Sequence, residues 1–97
     1  MFRIAFTPSA LADIQWFRTH EQKVILDKIE EQLTHQPNIE TRHRKQLRPN
    51  QVAAWELRIG KYRVFYDVDT DRNAVGVKMV DSKEGNKLLI RGKEYER

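Results

Sequence analysis

Apolar and polar residues alternate along much of this chain, and the period changes twice. Phe2, Ile4 and Phe6 alternate with Arg3 and Ala5, which predicts a short first strand. Thr7-Pro8-Ser9 breaks that period, and Pro8 or Ser9 suits the start of a helix. Over residues 10–19, Leu11, Ile14 and Phe17 recur every third position, as in a short amphipathic helix. His20-Glu21 reads as a brief connection, and Leu26, Ile29 and Leu33, flanked by Val24 and Ile25, form the stripe of a second helix. Lys23 and Asp27 stand four apart on it, the spacing of a surface ion pair. Pro37-Asn38 ends this helix, so the two helices are expected to pack together on a sheet.

The period of two returns around Gly60-Lys61. Trp55, Leu57 and Ile59 alternate with Glu56 and Arg58, and Tyr62, Val64, Tyr66 and Val68 alternate with Arg63, Phe65 and Asp67. This predicts a β-hairpin over residues 54–68, with Gly60 supplying the positive φ of a tight turn. Residues 41–49 contain one strongly apolar residue, Leu47, and read either as a basic edge strand or as a loop. Pro49-Asn50-Gln51 and the polar run Asp69-Thr70-Asp71-Arg72-Asn73 are turns, after which Val75, Val77 and Met79 make a further strand of an antiparallel meander. Ser82-Lys83-Glu84-Gly85-Asn86 is turn-like, and Leu88-Leu89-Ile90 is assigned to a last short strand. The expected fold class is α+β, in the order β-α-α-β-β-β(-β), with two N-terminal helices on a small antiparallel sheet.

Composition narrows this picture. Ninety-seven residues without a linker-like run fit a single domain over 1–97, and 39% hydrophobic content suffices for one core. Cys is absent, so disulfides and thiolate metal sites are excluded. With no basic-then-apolar leader and no apolar run near the roughly 20 residues that span a bilayer, the expectation is a soluble, cytoplasmic protein with no membrane partner. The net charge of +4 is unevenly spread: residues 41–63 hold seven Lys/Arg against one Asp/Glu, and residues 1–40 hold four against six. A basic hairpin with acidic helices behind it favours a polyanion or an acidic protein partner; solubilising surface charge is the alternative reading.

Candidate chemistry concentrates on the hairpin. Alternation allows Arg58 and Arg63 to share the face opposite the apolar rows, with Lys61 at the turn. Two guanidinium forks on neighbouring strands suit phosphate oxygens. The competing reading pairs both arginines with Glu56 and Asp67 on a solvated face. The scattered His20, His35 and His43 have no second ligand at a useful spacing, so no metal or cofactor is expected, although His43 in the basic segment suits proton transfer. Gly-rich phosphate loops, zinc-protease helices, nucleophile elbows and calcium loops are all missing from the sequence.

Taken in order, the opening Phe6-x-Pro8-x-Ala10 with Asp13, the pair Lys45-x-Leu47, the run Tyr62-Arg63-Val64-Phe65-Tyr66 and the closing Asn86-x-Leu88-x-Ile90-x-Gly92-x-Glu94 resemble the RelE/ParE superfamily of type II toxin–antitoxin toxins. RelE-like members cut mRNA in the ribosomal A site without metal, the ribose 2′-hydroxyl attacking the adjacent phosphate while basic residues stabilise the charge. ParE-like members poison DNA gyrase with the same fold. The family's sheet arginine falls on Arg63, and Arg58 lies where related nucleases carry a basic residue. Ala54 and Glu56 occupy the neighbourhood of two RelE lysines, and the C-terminal His of other nuclease members has no counterpart. The resemblance thus implies a catalytic set of Arg63, Arg58 and Lys83, and RNA contacts from Lys45, Lys61, Lys87, Arg91 and Tyr95. It also implies a cognate antitoxin with an acidic or partly disordered segment, and mRNA, on the ribosome or off it, as the target. Gyrase inhibition and an inactive binding module stand as alternatives.

Overall fold

A computed structural model describes residues 1–95, the Tyr95 side chain excepted. The elements are β1 (Arg3–Phe6), α1 (Pro8–Trp16), α2 (Thr19–Leu33), β2 (Arg44–Gln46), β3 (Trp55–Ile59), β4 (Tyr62–Asp69), β5 (Ala74–Glu84), β6 (Lys87–Ile90) and β7 (Lys93–Tyr95). This is the expected α+β class. Residues 41–49 resolve as an edge strand only over β2.

Thr7 sets the start of α1. Its Oγ1 accepts the Ala10 N–H at 3.1 Å, and Pro8 occupies the first turn, where no N–H is needed. The helix stops at Trp16 because Phe17 turns to extended backbone. His20-Glu21, expected as a connection, instead forms the first turn of α2, where the Glu21 carboxylate accepts the Arg18 N–H at 3.3 Å. The buried stripe of α2 is Ile25, Ile29 and Leu33, spaced four apart, and Leu26 and Leu11 face outward at 40% and 43% exposure. Ile25 and Leu26 both fit an apolar stripe, and the rotation that seats α2 on the sheet selects Ile25.

The sheet runs β2-β3-β4-β5-β6-β7 with antiparallel neighbours, and β1 joins it as a parallel partner of the first half of β5. The expected turn at 82–86 shrinks to Gly85-Asn86, because β5 continues to Glu84 and pairs with β6. A further turn, with Arg91 at φ +51° and Gly92 at φ +78°, adds β7. Trp55, Leu57, Ile59, Val64, Tyr66, Val75, Val77 and Val80 pack with Ile14, Phe17, Ile25, Ile29 and Leu33 into one core between helices and sheet.

One irregularity positions the rest. Phe65 pairs with Met79 but Tyr66 pairs with Val77, so Lys78 is an extra residue in β5. The backbone groups it displaces are met from α1 and its cap: Thr7 Oγ1 donates to the Lys78 carbonyl at 3.2 Å, and the Asp13 carboxylate accepts the Val80 N–H at 3.0 Å. The bulge shifts the alternation, so Val75, Val77 and Val80 all face the core.

Candidate functional site

The face of the sheet turned away from the helices carries the candidate site. Arg58 on β3 lies directly across from Arg63 on β4, which lies across from Asp81 on β5, and Lys45 on β2 lies across from Glu56. Lys83, two residues beyond Asp81, continues the same face. Four of the expected site residues, Arg63, Arg58, Lys83 and Lys45, are therefore brought together across four strands.

Both arginines are held. Arg63 donates from Nη1 to the carbonyls of Gly60 at 2.6 Å and Tyr62 at 2.9 Å, so the turn itself orients its guanidinium. Arg58 Nε lies 3.7 Å from Glu56 Oε2, and its backbone N–H donates to the His43 carbonyl at 2.8 Å. Of the two alternative acidic partners, Glu56 is engaged by Arg58, whereas Asp67 accepts the Ala54 N–H at 2.7 Å. Arg58, His43, Lys28 and Gln32 also border a hollow of about 110 Å³ at the β3 end of the face. Phe65, opposite Glu56, and Asp81, opposite Arg63, are both fully buried on this face.

The other cations expected at this site are elsewhere. Lys61 turns toward α2, 3.5 Å from Glu84 and 3.8 Å from Glu21, above the Tyr62 ring. There it lines a cleft of about 600 Å³ with Trp16, Phe17, Arg18 and Leu89. Lys87 lies 4.0 Å from Glu94 on that same side of the C-terminal hairpin. Arg91 points into the fold, its Nε donating to Asp13 Oδ1 at 2.7 Å and its Nη2 to the Ser9 carbonyl at 3.2 Å. Lys61, Lys87 and Arg91, expected as RNA contacts, thus lie apart from the four cations of the sheet face, each beside an intramolecular carboxylate. The Tyr95 backbone pairs with Leu88, and its side chain lies outside the described residues.

Two tyrosines are perturbed on the helix side. Burial, reinforced by a hydrogen bond to Glu21, pushes the Tyr62 phenol up to about 12, and the same hydrogen bond holds the Glu21 carboxyl below its usual range. Burial also raises Tyr66, whose hydroxyl donates to the Pro37 carbonyl at 2.7 Å. Among the described residues, no group of three or more His, Asp or Glu side chains is placed to hold a metal ion. No helix among them is long and apolar enough to cross a membrane.

From the sequence, Glu56 reads as a surface partner of the arginines and as an occupant of the neighbourhood of the RelE lysines. It is in fact 4% exposed, a carboxylate enclosed beside the exposed Arg58. Its two buried neighbours, Trp55 and Leu57, belong to the opposite face and carry no signal of this. Arg44, read as one more basic residue, is 8% exposed and donates to the Ile39 and Gln32 carbonyls and the Gln32 side chain, tying β2 to the end of α2.

The architecture is that of a small toxin fold. The RelBE2 toxin–antitoxin complex of Mycobacterium tuberculosis contains a chain that superposes with a TM-score of 0.73 at 23% identity, covering 84% of this chain and 98% of that one. The isolated E. coli RelE toxin gives a TM-score of 0.70 at 22% identity, covering 87% of this chain and 86% of that one. The YoeB-YefM toxin–antitoxin complex of Staphylococcus aureus gives 0.60 at 19% identity, covering 87% and 97%. No curated protein matches the sequence significantly. The family described as ParE toxin of type II toxin-antitoxin system, parDE, matches residues 4–86, and the chain belongs to that family, within the RelE/ParE toxin superfamily.

Proposed function

We propose that this toxin acts as a metal-independent endoribonuclease on mRNA, with Arg58 and Arg63 as its phosphate clamp. The observation that carries the reading is their direct cross-strand pairing on a sheet face flanked by Lys45 and Lys83. In 2′-hydroxyl attack, negative charge builds on the phosphate as the 5′-oxygen leaves. Preorganised donors aimed at that charge each contribute on the order of 3–4 kcal/mol. Arg63, fixed by the turn carbonyls, takes the central role; Arg58 is the second fork, and Lys83 and Lys45 neutralise neighbouring phosphates. The chemistry needs no metal. Cleavage by this route leaves a 2′,3′-cyclic phosphate and a 5′-hydroxyl, and it persists in EDTA. Arg63→Ala abolishes it while the thermal melt stays within a few degrees of the parent, because Arg63 is on the outer face of the sheet. Products with 5′-phosphate ends, or loss of activity in EDTA, contradict the proposal.

A second reading draws on the family match: the same face docks a protein target such as DNA gyrase without cleaving anything. Glu56, standing in the neighbourhood where RelE carries lysine, favours it. Supercoiling inhibition with intact RNA distinguishes it. Under either reading, the partner proposed in the resting state is a cognate antitoxin whose acidic or partly disordered segment orders over the basic face. The structural neighbours crystallised as toxin–antitoxin complexes support that partner.

A further inference from the structure

We infer that Glu56 is a positioning residue: its enclosed carboxylate fixes the Arg58 guanidinium for the phosphate and lowers the affinity of the face for nucleic acid. This inference rests on the nuclease reading and deepens it. Arg63 and Arg58 occupy the same row of the same face yet are held by different means. Arg63 is oriented by two backbone carbonyls, which carry no net charge. Arg58 has an ion-pair partner, Glu56, which is 4% exposed and whose Oε2 lies 3.7 Å from Nε.

Glu56 and the fully buried Asp81, across from Arg63, are carboxylates on a face whose cations are Lys45, Arg58, Arg63 and Lys83, and a carboxylate there opposes polyanion binding. The buried Glu56 carboxylate would be left without its cation if Arg58 moved away, so the pair constrains the Arg58 guanidinium. The pair is also asymmetric. The Arg58 side chain is 44% exposed and the Glu56 side chain 6%, so the guanidinium keeps donors toward an incoming phosphate while the carboxylate stays behind it. Lys45, directly across from Glu56 and exposed, experiences the same charge. Glu56 therefore trades affinity for aim: it weakens the hold on every phosphate of a bound strand and directs one fork at the phosphate that reacts.

The test separates these two effects. Binding is measured with a fluorescent all-deoxy oligonucleotide, which lacks the attacking hydroxyl, and cleavage with the matching RNA under single-turnover conditions, free and on a programmed ribosome. Glu56→Gln keeps the shape and removes the charge. The expected result is several-fold tighter binding at low salt together with cleavage slowed on the order of tenfold to a hundredfold, the size of effect that small misplacement of a catalytic group produces. In an Arg58→Ala background, Glu56→Gln still tightens binding but leaves the remaining cleavage rate at saturating protein unchanged. A purely structural role would weaken binding and cleavage together and would not be masked by Arg58→Ala.

Unchanged cleavage in Glu56→Gln, or equal slowing with and without Arg58, overturns the inference. Should Glu56→Gln fail to fold, Arg58→Lys serves, since lysine reaches Glu56 but lacks the planar fork. It is expected to keep binding and lose cleavage, and parental cleavage by Arg58→Lys overturns the inference. If the parent binds the oligonucleotide but cuts no RNA in either setting, the nuclease reading fails and with it the claim of aim. The claim of lowered affinity is then decided separately by whether Glu56→Gln binds more tightly.

Discussion

Asp13 shows how much of this fold hangs on single side chains. Its carboxylate is 1% exposed and bridges the bulge in β5, through the Val80 N–H, and the C-terminal hairpin, through Arg91. Asp13→Ala removes both acceptors at once. Because Arg91 is partly exposed and can be rehydrated, the expected loss is roughly 2–3 kcal/mol, below the 3–5 typical of a fully enclosed pair. A urea midpoint measured against the parent decides it, and an unchanged midpoint contradicts the bridging role. Asp13 was legible in the sequence only as part of a motif. A buried carboxylate on an amphipathic helix has no periodic signature, and its partners lie 67 and 78 residues away. The arginine pair was more legible, since alternation alone put Arg58 and Arg63 on one face. Their holders were not: Gly60 and Tyr62 act through carbonyls, which every residue possesses.

Among the elements, the β3–β4 hairpin was readable because its period of two is long and unbroken, whereas the period of β5 shifts at the bulge, which puts Val80 rather than Met79 into the core. The C-terminal hairpin was not readable, because Leu88-Leu89-Ile90 is too short to define a period. That hairpin is seated on α1 by Gly92, where an added Cβ would stand 2.8 Å from the Trp16 ring at a backbone φ of +78°. Gly92→Ala is therefore expected to cost about 1–3 kcal/mol through strain and displacement of Trp16, seen as a lowered thermal midpoint. At the corner between α1 and α2, Glu21 and the Tyr62 phenol shift each other's ionisation, which makes stability depend on pH at both ends. Glu21 is depressed in the fold, so its contribution is present above the ordinary carboxylate value and is lost as pH falls through the lower folded one. Tyr62 is raised to about 12, so its contribution is complete below the ordinary phenol value of 10 and is lost as pH rises from there toward 12. Denaturant midpoints across pH should show both limbs in the parent. Tyr62→Phe should lessen the alkaline limb, leaving the part that the raised Tyr66 phenol contributes, and shrink the acid one; an unchanged alkaline limb would place its origin in Tyr66 alone.

The whole molecule divides its cations by face. Lys61, Lys87 and Arg91 are drawn by Glu21, Glu84, Glu94 and Asp13 to the helix side, while Arg58, Arg63, Lys45 and Lys83 share the outer face of the sheet. Charge counting along the sequence found the basic stretch but not this division, which depends on where each acidic partner falls in three dimensions. Under the proposed RNA-binding role, phosphate contacts from several cations are expected to give the outer face a steep salt dependence, with log affinity for a single strand falling by about 0.7 per neutralised phosphate for each unit of log salt. The central claim, that this face cuts RNA, is tested most directly by primer extension on cellular mRNA after brief induction, with Arg63→Ala as the control. New cuts inside translated reading frames, absent in the control, are expected. Growth arrest with intact mRNA would contradict it and shift the assignment to a protein target.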